Sequence, residues 1–380
     1  MKILFVLMIL CGGVHLLLNF LLYRGWHRLR PPRLMPSALP PLTVLIAARD
    51  EAHNLQRYLP TILSQAYPTF EVLVMLNQTT DASEAVLQDL GQQHPHLRWQ
   101  VLYEIPPDWS PKKWAIQQGV AAAGYDHLAL IDADCEPESG WLQGIGQRFA
   151  QGYEVILGLG FYRPFGGLLS RFIQFETWYT AWQYVGAAAW GKPYMGVGRN
   201  LAYTREFFQR HGGLTRWQDS LSGDDDLLIG AYAPAANTTA MKDPRTFTWS
   251  EPPIQWRSWW QQKNRHLSAS HHYPLIIKAL LGFFHFSHLV FYGLLILFCV
   301  VDVTALEVWG LYISVLGGKM MMMWAMYQPK KERPLPFTLI GLDLSYFLYN
   351  LSIVPLGLIK RPAWKSRIPE YPKIHKKTGS

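Results

Sequence analysis

The sequence predicts a mixed α/β domain, a mostly parallel sheet with flanking helices, joined to N-terminal and C-terminal transmembrane helices. Three observations carry this. Short apolar, β-branched runs alternate with helical periods between residues 42 and 134. Residues 1–23 are almost wholly apolar, and three more apolar segments follow residue 274. Hydrophobic residues make up 49% and charged residues 16%, where an ordinary soluble domain carries roughly 25% charged residues. A chain of 380 residues holds one domain of about 200–250 residues plus membrane elements.

The elements follow in order. Residues 1–23 are long enough to cross a hydrocarbon core of ~30 Å. Positive charge follows this stretch and no small-residue cleavage site precedes RGWHRLR, so an anchor with the remainder of the chain inside is expected rather than a cleaved signal. Residues 24–41 form a basic linker stiffened by Pro31, Pro32, Pro36, Pro40 and Pro41. LTVLIAA (42–48) reads as a buried strand, and Asn54 to Gln65 as a helix with Leu55, Tyr58, Leu59 and Ile62 on one face. FEVLVML (70–76), WQVLYE (99–104) and HLALIDAD (127–134) read as further strands, SEAVLQDLGQQ (83–93) and KKWAIQQGVAAA (112–123) as helices. This rhythm means βαβ units and a parallel sheet, whose ligands bind at the carboxyl ends of the strands. The aromatic helix at 165–190 suits either the core or the membrane interface. The segments 275–300, 304–327 and 335–359 extend a membrane region over 275–359, with Lys319 interrupting the second and Asp343, Asn350 and Pro355 the third. Four crossings would put the basic tail 360–380 outside, against the preference of cytoplasmic loops for Lys and Arg, so one segment is expected to be re-entrant or interfacial.

The formal net charge is +8, and the excess sits beside apolar segments: 24–33, 329–334 and 360–367. That placement fits a multi-pass cell-membrane protein with a cytosolic soluble domain. No basic stripe interleaved with aromatics occurs in the soluble region, so nucleic acid is not an expected partner. The three cysteines, Cys11, Cys135 and Cys299, form no zinc spacing and no disulfide framework, and point to a reducing compartment.

Several constellations carry chemistry. LALIDADC (128–135) brings Asp132 and Asp134 to one strand end, where residues two apart share a face. Two such carboxylates suit a divalent metal, Mg²⁺ or Mn²⁺, that neutralises a leaving diphosphate; an ordinary strand-ending turn gives the same letters. SGDDDLLIG (222–230) opens a helix with three successive acids. Capping explains some of that charge, while mutual repulsion raises at least one pKa and makes a general base. In WWQQKNRHLSASHHY (259–273) Gln262 and Arg265 share a helical face, suited to phosphate or to anchoring at the interface. MGVGRNLAYTREFF (195–208) puts two glycines and a polar pair before an apolar helix, either for close approach to a ligand or for a tight turn. Arg49 and Glu51 in AARDEAHNL (47–55) stand where a nucleotide would lie.

The order of these pieces resembles the family-2 inverting glycosyltransferases of GT-A fold. ARDEAHN stands where that family reads ARNE, followed by SQAYPTFEVLVMLNQTTD, PKKWAIQQG, the DxD of LIDADC, GVGRNLAYTRE, GDDD, and QKNRH in the place of QxxRW. The resemblance spans about residues 42–270, the expected catalytic domain. It implies a membrane-bound enzyme that moves a single sugar from a nucleotide-sugar donor, a UDP-sugar first, to a lipid or membrane-associated acceptor. It also implies roles. Ala48, Arg49 and Glu51 would border the nucleotide, with Lys113 near the nucleotide or diphosphate. Asp132 and Asp134 would hold the metal and diphosphate. Asp226 or Asp225 would deprotonate the acceptor, Gln262 and Arg265 would close over the diphosphate, and Gly198 and Asn200 would line the acceptor side. Two departures stand out. Asn77 follows Leu76 where the family has a base-contacting Asp, and His266 replaces the Trp of QxxRW. The second departure, with the few apolar segments, favours glycolipid synthesis of the ceramide or hopanoid type over a processive polysaccharide synthase. Intact acidic motifs weigh against a non-catalytic nucleotide-sugar-binding scaffold.

Overall fold

The computed structural model describes residues 1–29, 38–220, 222–301, 306–328 and 333–359, with 353–359 as backbone alone. Most of the proline-rich part of the linker, part of the basic stretch at 329–334 and the tail 360–380 lie outside the described residues. The N-terminal apolar run forms one helix, Lys2–Arg28 (α1).

The alternation delivers Leu42–Ala48 (β1), Ala52–Leu63 (α2), Phe70–Asn77 (β2), Ser83–Gln93 (α3), Leu97–Leu102 (β3), Pro111–Ala122 (α4) and His127–Leu130 (β4). β1 and β2 are buried at nearly every position, which is why they read as continuous apolar runs rather than alternating ones. β1 pairs in parallel with both β2 and β4, Leu42 opposite Phe70 and His127, and β3 pairs in parallel with β2. The α2 face expected from the sequence, Leu55, Tyr58, Leu59 and Ile62, is buried.

Three expectations are corrected here, and one open alternative is decided. β3 lies two residues before 99–104, because the strand follows its pairing with Val72–Asn77 rather than the apolar letters. The fourth strand ends at Leu130, and Asp132 and Asp134 sit in the turn before Cys135–Pro137 (β5), where the Cys135 amide donates to the Asp132 carbonyl at 3.1 Å. The turn, not strand pleating, brings the two acids together. After Trp141–Phe149 (α5), Val155–Leu157 (β6) and Gly160–Tyr162 (β7) comes the aromatic helix Leu168–Ala189 (α6), buried on nearly all sides and therefore core. Finally, the glycine segment at 195–200 leads first into a strand, Leu201–Thr204 (β8), and only then into Arg205–Arg210 (α7).

β8 runs antiparallel between β4 and β6. With Asp226–Tyr232 (α8) and Thr238–Ala240 (β9) in place, the seven-stranded order is β3-β2-β1-β4-β8-β6-β9, and Thr248–Ser250 (β10) joins β5 and β7 in a small second sheet.

Trp256–Ala269 (α9) leads into Leu275–Val301 (α10), Leu306–Met326 (α11) and Pro336–Ile359 (α12). Among the described residues, α1 and α10 are long and apolar enough to cross a membrane by length and composition. The polar interruptions in α11 and α12 are partners. Lys319 Nζ lies 2.6 Å from Asp343 Oδ1, and Tyr292 donates to Asp343 Oδ2 at 2.8 Å. A buried charge in an apolar bundle is tolerable only when paired in this way.

α1 lies along α6. Gly25 meets the Gly186 carbonyl so closely that a side chain there has no room. Tyr179 donates to Asn19 Oδ1 at 3.0 Å, and the Trp190 indole to the Leu21 carbonyl at 2.7 Å.

Candidate active site

The carboxyl ends of β1, β2 and β4 present the first wall. Ala48 and Asn77 close β1 and β2 and are buried, and Asn77 Oδ1 has no hydrogen-bond partner. Arg49 points beside Asp50, whose φ of 54° is held because its Oδ1 accepts from the Thr80 amide at 2.6 Å. Glu51 accepts from Asn54 at 2.6 Å, and burial, reinforced by Asp134 and Asp132, raises its carboxyl above the usual range. Ligand atoms of Asp132, Asp134 and Cys135 lie within 4.8 Å of one another. Burial and the neighbouring Asp132 raise Asp134, and the Cys135 thiol donates to it at 3.3 Å.

The second wall is the acidic run before α8. Asp225 caps the helix, accepting from the Asp226 amide at 2.8 Å through Oδ1 and from the Gly198 amide at 2.6 Å through Oδ2. A β-carbon on Gly198 would lie 3.4 Å from Asp224 and Asp225 and 3.5 Å from Lys112 Nζ, ordinary contact distances, so the glycine loop lies against all three. Burial and Asp224 push the Asp225 carboxyl up to about 6. Burial and Asp225 push Asp226 up to about 8, while Tyr273 donates to its Oδ2 at 2.5 Å.

One cation joins the walls. Lys112 Nζ lies 2.8 Å from Asp132 Oδ1 and 2.8 Å from Asp224 Oδ2. Acids some ninety residues apart thus share one ammonium. Lys113, expected near the nucleotide or diphosphate, turns instead to the loop before the acidic run. It is buried, donates to the Trp217 and Ser222 carbonyls at 2.8 Å each, and burial lowers it to about 8. Successive helical residues point about 100° apart, so of two adjacent lysines one faces the site and the other braces the loop beneath it. Both flank the apolar stripe of α4, and periodicity alone does not separate them.

Asn200, expected on the acceptor side, also turns inward. It is fully buried, accepting from Trp141 Nε1 at 3.0 Å and donating to the Leu159 and Thr246 carbonyls at 2.8 and 2.9 Å. Every polar atom is used, so it braces the glycine loop from below instead of facing an acceptor. Gln262 donates to Tyr162 at 3.0 Å, and the Arg199 guanidinium stacks 4.2 Å over the same ring. Arg199 was missed in the sequence; its only signal is its place beside Gly198. Arg265 is half-exposed and enters none of the ion pairs among the described residues, so it does not join the two acidic groups.

A parallel-sheet domain with clustered acids at its strand ends invites comparison with known proteins. A family described as "Glycosyltransferase like family 2" matches residues 40–269. The chain belongs to glycosyltransferase family 2. The probable glycosyltransferase YdaM of Bacillus subtilis is 26% identical over 263 residues, 65% of this chain and 58% of that protein. Glycosyltransferase AglE of Haloferax volcanii is 30% identical over 137 residues, 35% of this chain and 44% of AglE. The chain therefore spans about half the length of these curated relatives. The mannosyltransferase PcManGT from Pyrobaculum calidifontis, solved with GDP-Man and Mn²⁺, superposes with a TM-score of 0.57 at 18% identity, over 92% of this chain and 99% of PcManGT. This likeness shows a GT-A fold for the glycosyltransferase.

Proposed function

We propose that this family-2 glycosyltransferase is a multi-pass membrane enzyme that moves one sugar, with inversion, from a nucleoside-diphosphate sugar to a lipid or membrane-associated hydroxyl. The observation that carries the reading is the Lys112 bridge, which draws Asp132 and Asp224 to one point beside Gly198.

The donor nucleotide would lie along Ala48, Arg49, Glu51 and Asn77, with uridine as the first base to try; the orphaned Asn77 Oδ1 has a free acceptor for a base N–H. Asp132 and Asp134 offer two hard oxygen donors, which fit Mg²⁺ or Mn²⁺. Cys135 is fully buried with its thiol pushed well above the usual range by burial, so it stays protonated and leaves the oxygens as the ligands. When bound, such an ion supplies charge neutralisation at the diphosphate. Lys112 adds a protein cation at the same place, and Gln262 and Arg265, both on α9, would close over the diphosphate.

For the acceptor, Asp225 suits the base better than Asp226. It touches the glycine loop, and both oxygens accept from backbone amides that aim it. Asp226 is buried and points toward Tyr273. In the displacement, the acceptor oxygen attacks the anomeric carbon, the bond to the diphosphate breaks, and Asp225 takes the hydroxyl proton. The apolar helices α1 and α10 and the tryptophans at the start of α9 support a site beside a bilayer, where a lipid hydroxyl would arrive at a cytosolic domain.

The test is to incubate membranes containing the full chain with labelled UDP- and GDP-sugars and extract the lipids. One added sugar per lipid is expected. A long polymer, or label confined to free sugar, would overturn the reading.

A further inference from the structure

The acidic run is held from two sides. Lys113 braces its loop through the Trp217 and Ser222 carbonyls. The other brace is Tyr273, the last residue of the 259–273 segment, to which the sequence alone assigned no role. Its amide closes a turn on the Ser270 carbonyl at 3.2 Å, Pro274 follows, and α10 begins at Leu275. The phenol of this stiff turn donates to Asp226 Oδ2 at 2.5 Å. Burial, helped by Asp226, keeps that phenol well above the ordinary tyrosine value, so it remains a donor. The Asp226 amide in turn donates to Asp225 Oδ1, and the Gly198 amide to Asp225 Oδ2. A hydrogen-bonded chain thus runs from the start of an apolar helix to the carboxylate that faces the glycine loop.

We propose that Tyr273 is a positioning residue for glycosyl transfer: by holding Asp226 it fixes the start of α8 and aims Asp225 at the acceptor, tying the base to the seating of α10. This rests on the reading above and names the residue that connects its site to the membrane-side bundle. The groups facing Asp226 are Asp224 and Asp225 from its own run, Lys113 from α4 and Tyr273 from the turn before α10. Asp226 Oδ1 has no partner, so the phenol is the one side chain that donates to this carboxyl among the described residues. A packing role alone would need only the ring.

The test compares wild type with Tyr273→Phe, full chain in detergent. Displacement of a catalytic group by less than an ångström typically costs roughly 10- to 100-fold in rate, so kcat is expected to fall by that factor with donor KM unchanged and Tm within about 3 °C. A wild-type kcat, or a parallel collapse of KM and Tm, would overturn the proposal. A second measurement does not depend on transfer. The carboxyl infrared band assigned by its loss in Asp226→Asn is titrated in both proteins. The phenol's bond favours the ionised acid, so its removal is expected to raise the midpoint by roughly half a unit or more. An unmoved midpoint would overturn the proposal even in a preparation that transfers no sugar, whereas a moved midpoint without transfer would count against the glycosyl-transfer reading alone.

Discussion

Asn200 separates a structural part of the site from a chemical one, and Asn200→Ala is the perturbation that shows it. The substitution removes one acceptor and two donors from a position with no solvent exposure. The Leu159 carbonyl keeps a partner in the Thr248 amide at 3.1 Å, but Trp141 Nε1 and the Thr246 carbonyl are left without their Asn200 partner. A buried polar group stripped of its partner costs about 1–3 kcal/mol, and the vacated volume adds a cavity contribution. The sum is about 4 kcal/mol. For a domain of this size each kcal/mol moves Tm by roughly 2–4 °C, so a drop of about 10 °C is expected in thermal unfolding of the purified protein. Turnover per folded molecule, measured well below the new Tm, is expected to stay within about threefold of wild type, since Asn200 lies beneath the loop rather than in contact with substrate. An unchanged Tm with turnover reduced a hundredfold would refute this reasoning and return Asn200 to the acceptor.

Four other outcomes follow from the site. Asp225→Asn is expected to lower kcat by about 10²–10⁴-fold, the usual worth of a general base, with donor KM unchanged and a smaller loss for Asp226→Asn; steady-state kinetics on both variants checks the order. Because the base acts ionised and burial lifts Asp225 to about 6, kcat/KM is expected to hold above that pH and fall about tenfold per unit below it, as an apparent value of the coupled 225/226 pair. Chelation by EDTA is expected to abolish transfer, Mn²⁺ or Mg²⁺ to restore it, and Asp134→Asn to remove the metal response without changing Tm. Lys112→Met takes a positive charge from between Asp132 and Asp224, so Mn²⁺ bound by the protein, counted by paramagnetic resonance, is expected to bind roughly fivefold tighter while donor turnover falls.

The α/β half was legible because hydrophobic periodicity acts locally: α3 fell on Ser83–Gln93 and β2 within one residue of its expected end. The acid groups were legible as letters, since carboxylates at strand and helix ends have few uses. Contacts that depend on rotation or register were not. Nothing local tells Lys112 from Lys113, because which of two neighbours faces the pocket is set by how α4 packs on β1 and β2. Asn200 looked like a site residue because an Asn after glycines serves a ligand or a brace equally well. Only Trp141, Leu159 and Thr246, distant along the chain, decide between them. Tyr273 carried no signal at all, since its partner lies forty-seven residues away across a helix boundary.

The crossing of α1 on α6 has a practical consequence. The N-terminal helix, long and apolar enough to cross a membrane, is also part of the enzyme's own packing, stepped into place on α6 where Gly25 meets Gly186. A version trimmed to begin at residue 42 would therefore leave a greasy flank along α6 with nothing to cover it, and would be expected to clump rather than dissolve. Replacing α1 with an unrelated apolar helix would fail for the same reason unless the substitute reproduced that glycine step.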